Sequence, residues 1–266
     1  MIGRVAGKVA IVTGAGAAGA GWGNGRAAAV LYAREGAQVV CCDRDPEPLA
    51  ETVKIIEGEG NQAIGVACDV TDAADVEALV ARAVDTYRQL DILHNNVGIL
   101  IMGGPEGLAL DDWRRMLDVN VTSMFLTCKY ALPAMLTSGG GSIVNISSVA
   151  ALKYTGWPAV AYGTSKGAVN AFTIQVAMEY ADRGIRCNAI LPGLMDTPMI
   201  REPLADAYGP GGIQTMLARR HAQSPTGRMG TAWDVAEAAL FLASDAAAYI
   251  NGATLVVDGG IQHKIG

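Results

Sequence analysis

Ile11-Val12-Thr13-Gly14-Ala15-Gly16-Ala17-Ala18-Gly19-Ala20-Gly21-Trp22-Gly23-Asn24-Gly25-Arg26-Ala27-Ala28-Ala29 is an apolar β-branched run that breaks into glycines and then into alanines. The first part reads as a strand and the last as a helix. Glycines between such elements let a backbone approach a pyrophosphate while the free N–H groups of the helix N-terminus point at it. Gly14, Gly16 and Gly19 spell a literal GxGxxG, a weak signal alone because a stretch so rich in glycine matches it by chance. Gly21, Gly23 and Gly25 are poor helix formers and Asn24 is a good cap, which places the helix start at Asn24 or Gly25. Gly14, Gly23, Asn24 and Gly25 are therefore the candidate phosphate contacts. The plainer alternative is a solvated surface loop.

Outward from this turn, short β-branched runs alternate with longer alanine-rich, charge-bearing stretches. Strands are expected near 8–13, 38–43, 62–68, 90–95, 142–147, 185–190 and 253–257, and helices near 25–35, 46–58, 73–88, 111–137, 158–182 and 232–244. Such alternation predicts a doubly wound α/β fold, a parallel sheet with helices on both faces, whose ligands bind beyond the carboxyl ends of the strands. With no Pro/Ser-rich linker, residues 1–266 form one expected domain. Residues 196–230 break the alternation and are expected to form a substrate lid. The second strand ends at Asp43, 18 residues beyond Gly25. A carboxylate there accepts both hydroxyls of an adenosine ribose and repels a 2′-phosphate, so NAD(H) is favoured over NADP(H) despite the neighbouring Arg44.

Composition narrows the function. Glycine makes up 33 of 266 residues without a Gly-X-Y period, and 51% of residues are apolar, which excludes collagen and low-complexity disorder. The formal charge of −6 and the lack of a basic stripe argue against nucleic-acid binding. No secretory signal and no membrane span are expected, so a soluble, cytoplasmic protein is. The five cysteines are odd in number and mostly in strand-like segments, without CxxC. His94, His221 and His263 are too dispersed for zinc, and no metal site is expected.

Tyr162 and Lys166 are four residues apart and would share one helix face. A neighbouring ammonium favours the phenolate of a tyrosine, so Tyr162 is a candidate general acid/base. The alternative is an ordinary amphipathic pair. The same stretch contains Gly163-Thr164-Ser165-Lys166-Gly167, a literal GxSxG. A serine hydrolase acting through Ser165 would need a strand leading into a sharp turn, with an acid and then a histidine following.

Taken in order, Thr13-Gly14 and its glycines, Asn95-Asn96-Val97-Gly98, Asn120, Ser147-Ser148, Tyr162-Gly163-Thr164-Ser165-Lys166, Asn188 and Pro192-Gly193 resemble the short-chain dehydrogenase/reductase family over nearly the whole chain. The resemblance implies a Rossmann-like sheet of seven strands in the order 3-2-1-4-5-6-7 and a common tetrameric state, for which helices 111–137 and 158–182 offer faces. Tyr162 resembles the family's proton-exchanging base, and Lys166 the lysine that binds the nicotinamide ribose and lowers the tyrosine pKa. Ser148 resembles the serine holding the substrate oxygen, with Ser147 the alternative by count. Asn120 resembles the asparagine that supports the proton relay. Asp69 and Val70 resemble the adenine contacts, while Asn96 and Gly98 resemble the coenzyme-supporting Asn-Ala-Gly element, with Val97 in place of alanine. Pro192, Gly193, Met195 and Thr197 resemble the segment that orients the carboxamide.

Two spacings depart from the family. Gly14 to Gly25 spans 11 residues instead of six, and Ser148 to Tyr162 spans 14, one more than usual, with the spare residue expected in Lys153–Trp157. The implied activity is hydride transfer between NAD(H) and a secondary alcohol or ketone. Leu152, Tyr154, Trp157, Leu194, Met199 and Leu204 suggest a hydrophobic or cyclic substrate. Arg201, Arg219, Arg220 and His221 keep a carboxylated or CoA- or carrier-linked 3-oxo substrate as an alternative. A non-catalytic NAD-binding regulator would share the fold. The tail from Gln262 to Gly266 is a candidate to reach a neighbouring subunit's site.

Overall fold

The computed structural model describes residues 2–200 and 212–264. Seven parallel strands form one sheet: β1 (Val9–Thr13), β2 (Gln38–Asp43), β3 (Ala63–Ala67), β4 (Ile92–Asn95), β5 (Gly141–Ile146), β6 (Ile185–Pro192) and, after two short strands, β9 (Thr254–Val257). Their order is β3-β2-β1-β4-β5-β6-β9, the expected order with β9 as its seventh member. Between β6 and β9 the chain adds β7 (Met195–Asp196) and β8 (Gly230–Thr231), a separate parallel ribbon pairing Met195 with Gly230 and Asp196 with Thr231.

Because helices cover both faces, the strands read as nearly continuous apolar runs. Alternate residues serve opposite cores. Ala10, Val12, Val39 and Cys41 pack with α1 (Asn24–Arg34), α2 (Pro46–Gly58) and α8 (Ala232–Ala243). Val9, Ile11, Val40 and Cys42 pack with α3 (Ala73–Tyr87), α5 (Ser123–Thr137) and α6 (Val160–Glu179). Ala27, Ala28 and Ala29 of α1 and Ala232, Ala236 and Ala239 of α8 are fully or almost fully buried in one cluster, which is why the glycine turn runs directly into an alanine-rich helix. Helix starts follow their caps. Asp72 accepts from the Ala74 and Asp75 N–H groups at 2.8 and 3.1 Å, and Thr231 and Asp234 form a reciprocal capping box. All five cysteines are buried with free thiols.

The long helix expected over 111–137 is instead three pieces: α4 (Leu110–Leu117), a π-helical turn (Asp118–Thr122) and α5. The widened turn carries Asn120, fully buried, whose side chain bonds both backbone groups of Ile99. The helix expected over 158–182 ends at Glu179, and a 3₁₀ turn (Ala181–Arg183) leads into β6. In the expected lid, Pro198–Ile200 forms a 3₁₀ turn and α7 spans Gly212–Gln223, whereas Arg201 and Leu204 lie outside the described residues. Among the described residues no helix is long and apolar enough to cross a membrane.

Candidate active site and coenzyme cleft

β1 pairs with β2 on one side and β4 on the other, so strand order reverses between β1 and β4. Beyond the carboxyl ends of the strands there opens a cavity of about 1130 Å³. The polar residues at the switch point stitch its floor together. Thr13 Oγ1 donates to the His94 carbonyl at 3.3 Å and accepts from the Asn96 amide at 3.1 Å, and Asn96 Nδ2 donates to the Gly14 carbonyl at 3.1 Å.

The glycine turn lines one end. Gly14 has φ +64°, a conformation that L side chains rarely adopt. A Cβ on Gly25 would collide with the Gly14 carbonyl oxygen, and one on Gly16 would sit 2.8 Å from Asp43 Oδ2. Helix α1 begins at Asn24, one of the two expected starts, but its cap is Gly23, without a side-chain cap bond. Its first N–H groups therefore have no side-chain acceptor, Gly23, Asn24 and Gly25 line the cavity, and the buried Asn24 Oδ1 has no hydrogen-bond partner. This backbone cradle fits a pyrophosphate.

Side-chain contacts from Arg26 and Thr52 tie down the lengthened turn. Arg26, 3% exposed, donates from Nη1 to the Gly21 carbonyl at 3.1 Å, from Nη2 to the Pro48 carbonyl at 3.2 Å and Glu51 Oε2 at 2.7 Å, and from Nε to Thr52 Oγ1 at 3.1 Å. Thr52 in turn donates to the Ala15 carbonyl at 2.8 Å. Trp22 packs against Trp233 in a tilted pair, ring centroids 4.7 Å apart and planes at 52°. The sequence reading missed Arg26. An arginine opening an amphipathic helix normally reads as a solvated charge, and the useful signal was the abnormal length of the turn just before it.

At the ends of β2 and β3, Asp43 Oδ2 accepts from the Gly16 amide at 2.9 Å and Oδ1 from the Asp45 amide at 3.1 Å. Asp69 and Val70 also line the cavity. The Thr71 hydroxyl and amide, helped by the Arg44 charge, hold the Asp69 carboxyl below its ordinary range against the effect of burial.

Ser148, Tyr162, Lys166, Gly98, Pro192, Gly193, Met195 and Thr197 line the same cavity. Ser148 follows β5 and caps a 3₁₀ turn (Val149–Ala151), its Oγ accepting from the Ala150 amide at 3.2 Å. Ser147 instead donates to the Lys166 carbonyl at 3.0 Å. Tyr162 is in the first turn of α6. Burial pushes its phenol above the ordinary value, and the Ser148 hydroxyl only partly offsets this. Lys166 Nζ lies 5.8 Å from the Tyr162 ring centroid and donates to the Ile146 carbonyl at 2.8 Å. Burial brings its ammonium down to about 8. The sequence expectation was that the ammonium would favour the phenolate. In the protein alone, desolvation is the larger effect.

Asn120 closes this cluster from behind. Its Oδ1 accepts from the Ile99 amide at 2.7 Å, and its Nδ2 donates to the Ile99 carbonyl and Ser165 Oγ, both at 3.0 Å. A Cβ on Gly98 would meet Lys166 Nζ at 3.2 Å and Asn120 Oδ1 at 3.4 Å. Ser165 is fully buried inside α6 and donates to the Tyr162 carbonyl at 2.8 Å, which is not the strand-to-helix elbow a GxSxG nucleophile needs.

The chain-long order of these elements is matched by a family model described as enoyl-(acyl carrier protein) reductase over residues 16–262. The chain belongs to the short-chain dehydrogenase/reductase family. As a short-chain dehydrogenase/reductase it is an oxidoreductase that uses a nicotinamide coenzyme. It is 40% identical to a 2,5-dichloro-2,5-cyclohexadiene-1,4-diol dehydrogenase of Sphingobium indicum, over 98% of both chains. A crystal structure of a short-chain dehydrogenase/reductase from Burkholderia xenovorans matches with TM-score 0.92 and 44% identity, over 99% of this chain and all of that one. Carveol dehydrogenase from Mycobacterium avium, solved with NAD, matches with TM-score 0.92 and 30% identity, over 98% of this chain and all of that one.

Among the residues expected at the substrate, Tyr154, Trp157, Leu194 and Met199 line the cavity of this short-chain dehydrogenase/reductase, but Leu152 does not. Arg220 lines it too, whereas Arg219 and His221 do not; His221 Nδ1 accepts from the Met229 amide at 3.0 Å. Of the tail from Gln262 to Gly266, a candidate to reach a neighbouring subunit's site, Lys264 lines this chain's cavity, and residues 265–266 lie outside the described residues.

Proposed function

We propose that the protein is an NAD(H)-dependent dehydrogenase that interconverts a secondary alcohol and a ketone on an apolar, cyclic skeleton. The observation that carries this reading is that Ser148, Tyr162 and Lys166 line one cleft, with Lys166 Nζ 5.8 Å from the Tyr162 ring centroid. In oxidation, Tyr162 Oη as phenolate takes the alcohol proton while Ser148 Oγ holds the same oxygen. In reduction, the two groups polarise the carbonyl and Tyr162 returns the proton. The bound nicotinamide supplies hydride acceptance or donation. Lys166 holds the nicotinamide ribose and, with the oxidised ring, offsets the desolvation that keeps Tyr162 protonated. Asn120 fixes the Ile99 backbone and the Ser165 hydroxyl behind this relay.

Coenzyme residues are Gly14, Gly23, Asn24 and Gly25 at the pyrophosphate and Asp43 at the adenosine ribose. Asp69 and Val70 serve the adenine, Asn96 and Gly98 the floor, and Pro192, Gly193, Met195 and Thr197 the carboxamide. Asp43 favours NAD(H), in keeping with the NAD bound to the carveol dehydrogenase relative. A cyclic substrate is supported by the diol and carveol specificities of the two relatives and by the apolar wall of Trp157, Leu194 and Met199. Residues 1–266 act as one domain with 196–230 as its lid. The exposed Phe125 on α5 and Ile174 and Met178 on α6 favour a homotetramer built through those helices, which light scattering on the eluting species checks.

The decisive test assays a panel of cyclic ketones and alcohols with NADH/NAD and NADPH/NADP in parallel, with Tyr162→Phe as control. Turnover should fall by at least about 10³-fold in the variant while NADH affinity stays within about threefold. Wild-type-like turnover in Tyr162→Phe removes the tyrosine from the mechanism.

A further inference from the structure

The lid helix α7 buries two residues one turn apart, Met216 at 0% and Arg220 at 6% exposure. They serve one face. Met216 packs on Leu100, Met102, Trp157 and Ile200, side chains that cover the catalytic end of the cleft, and Arg220 itself lines the cavity. Among the described residues the only hydrogen-bond partner of its guanidinium is a thioether, Nε to Met229 Sδ at 3.4 Å. A thioether is a weak acceptor, so among the described residues the four N–H donors of Nη1 and Nη2 meet no anion. The contrast with Arg26, equally buried but bonded to two carbonyls, a hydroxyl and a carboxylate, is direct.

A buried cation without an acceptor is costly unless a ligand completes it. The cleft is lined by charges of both signs: Asp43, Asp45, Asp69, Asp111 and Asp118, and Arg44, Arg114, Arg115, Lys153, Lys166, Arg220 and Lys264. Lys153, Lys264 and Lys166 donate to backbone carbonyls, of Ile261 and Gln262, of Gln223 and of Ile146, and Arg44, Arg114 and Arg115 are exposed to solvent, which leaves Arg220 as the buried cation with an open donor pair.

We propose that Arg220 is a substrate-recognition residue whose guanidinium fork takes a carboxylate on the substrate, so that the preferred substrate is an alicyclic hydroxy acid or keto acid with its carboxylate set away from the reacting carbon. This rests on the oxidoreductase reading above and narrows it. Guanidinium and carboxylate match in a planar, bidentate arrangement that lysine does not reproduce.

The test compares 4-oxocyclohexane-1-carboxylate with its methyl ester, using wild type, Arg220→Met and Arg220→Lys with NADH. Calorimetry of cyclohexanecarboxylate against cyclohexylmethanol on the NADH complex gives a binding readout independent of turnover. Wild type should prefer the acid at least about tenfold in kcat/KM and bind cyclohexanecarboxylate tighter than the alcohol by a similar factor. Arg220→Met should bring both ratios to within about threefold of one, and Arg220→Lys should restore only part of them. Equal use of acid and ester by wild type overturns the proposal and leaves the oxidoreductase reading standing. So does a loss in Arg220→Met shared equally by acid, ester and NADH affinity, which would assign Arg220 to the coenzyme. If no ketone is reduced with either coenzyme, the oxidoreductase reading falls, and the calorimetric ratio alone decides for or against Arg220.

Discussion

Replacing Arg26 by alanine tests whether the long glycine turn is a built element or slack. The side chain makes four hydrogen bonds, and their environments set the magnitude. The contact to Glu51 counts for little because that carboxylate is 60% exposed and is resolvated on loss of its partner, roughly 0–1 kcal/mol. The bonds to the Gly21 and Pro48 carbonyls and to the fully buried Thr52 hydroxyl are charge-assisted, each about 1.5–3 kcal/mol when intact. Water entering the vacated space recovers part of this. A net loss of about 3–4 kcal/mol remains, within the range for breaking a buried charged contact. Thr52 also holds the Ala15 carbonyl, so the damage should spread along 15–23 towards the pyrophosphate cradle. Urea unfolding followed by far-ultraviolet circular dichroism measures the stability, and NADH titration by fluorescence measures the local effect, expected as at least a tenfold weaker Kd. A loss below about 1 kcal/mol with unchanged NADH affinity would refute the reasoning, because Arg26 would then be a spectator.

Other outcomes follow from the cleft chemistry. Alcohol oxidation requires the phenolate, so its kcat/KM should rise with pH through the apparent pKa of the Tyr162–Lys166 pair, while ketone reduction, which uses the phenol, should fall over the same range. Lys166 also links to stability. Its ammonium is held to about 8 in the fold against about 10.4 in an unfolded chain, so the unfolded state binds more protons between these values and stability should rise with pH there. Urea titrations of the coenzyme-free protein at pH 7.5 and 9.5 should show a gain of about 2 kcal/mol that is absent in Lys166→Met. An equal gain in that variant would locate the linkage elsewhere. Asp43→Ser should move the NADH-to-NADPH ratio of kcat/KM at least about tenfold towards NADPH; an unchanged ratio would show that the carboxylate only tethers Gly16.

The sheet was legible because its information is local and repeated: β-branched runs, alanine-rich runs and turn residues recur in register with strands and helices. The π turn at Asp118–Thr122 was not, since a single inserted residue leaves the apolar pattern of 111–137 intact while redirecting Asn120. The juxtaposition of Ser148, Tyr162 and Lys166 was readable from spacing and family resemblance. The direction of the Tyr162 shift was not, because spacing records the nearby cation but not the loss of water around the phenol. Arg26 and Arg220 look alike in sequence, both charged positions on helices. Only their depth and their partners separate a residue that holds the chain together from one with donors to spare.

The two-residue ribbon of β7 and β8 fastens together the ends of everything between Thr197 and Met229, with a further bond from the Gly230 amide to the Leu194 carbonyl at 2.9 Å. Closing that excursion at its base decouples its length from the seven-stranded sheet, since lengthening an already closed loop costs only about 0.6 kcal/mol per doubling. The segment is thus an exchangeable cassette. Residues between the two fixed clasps can be exchanged while Ser148, Tyr162 and Lys166 stay on elements that the exchange never touches.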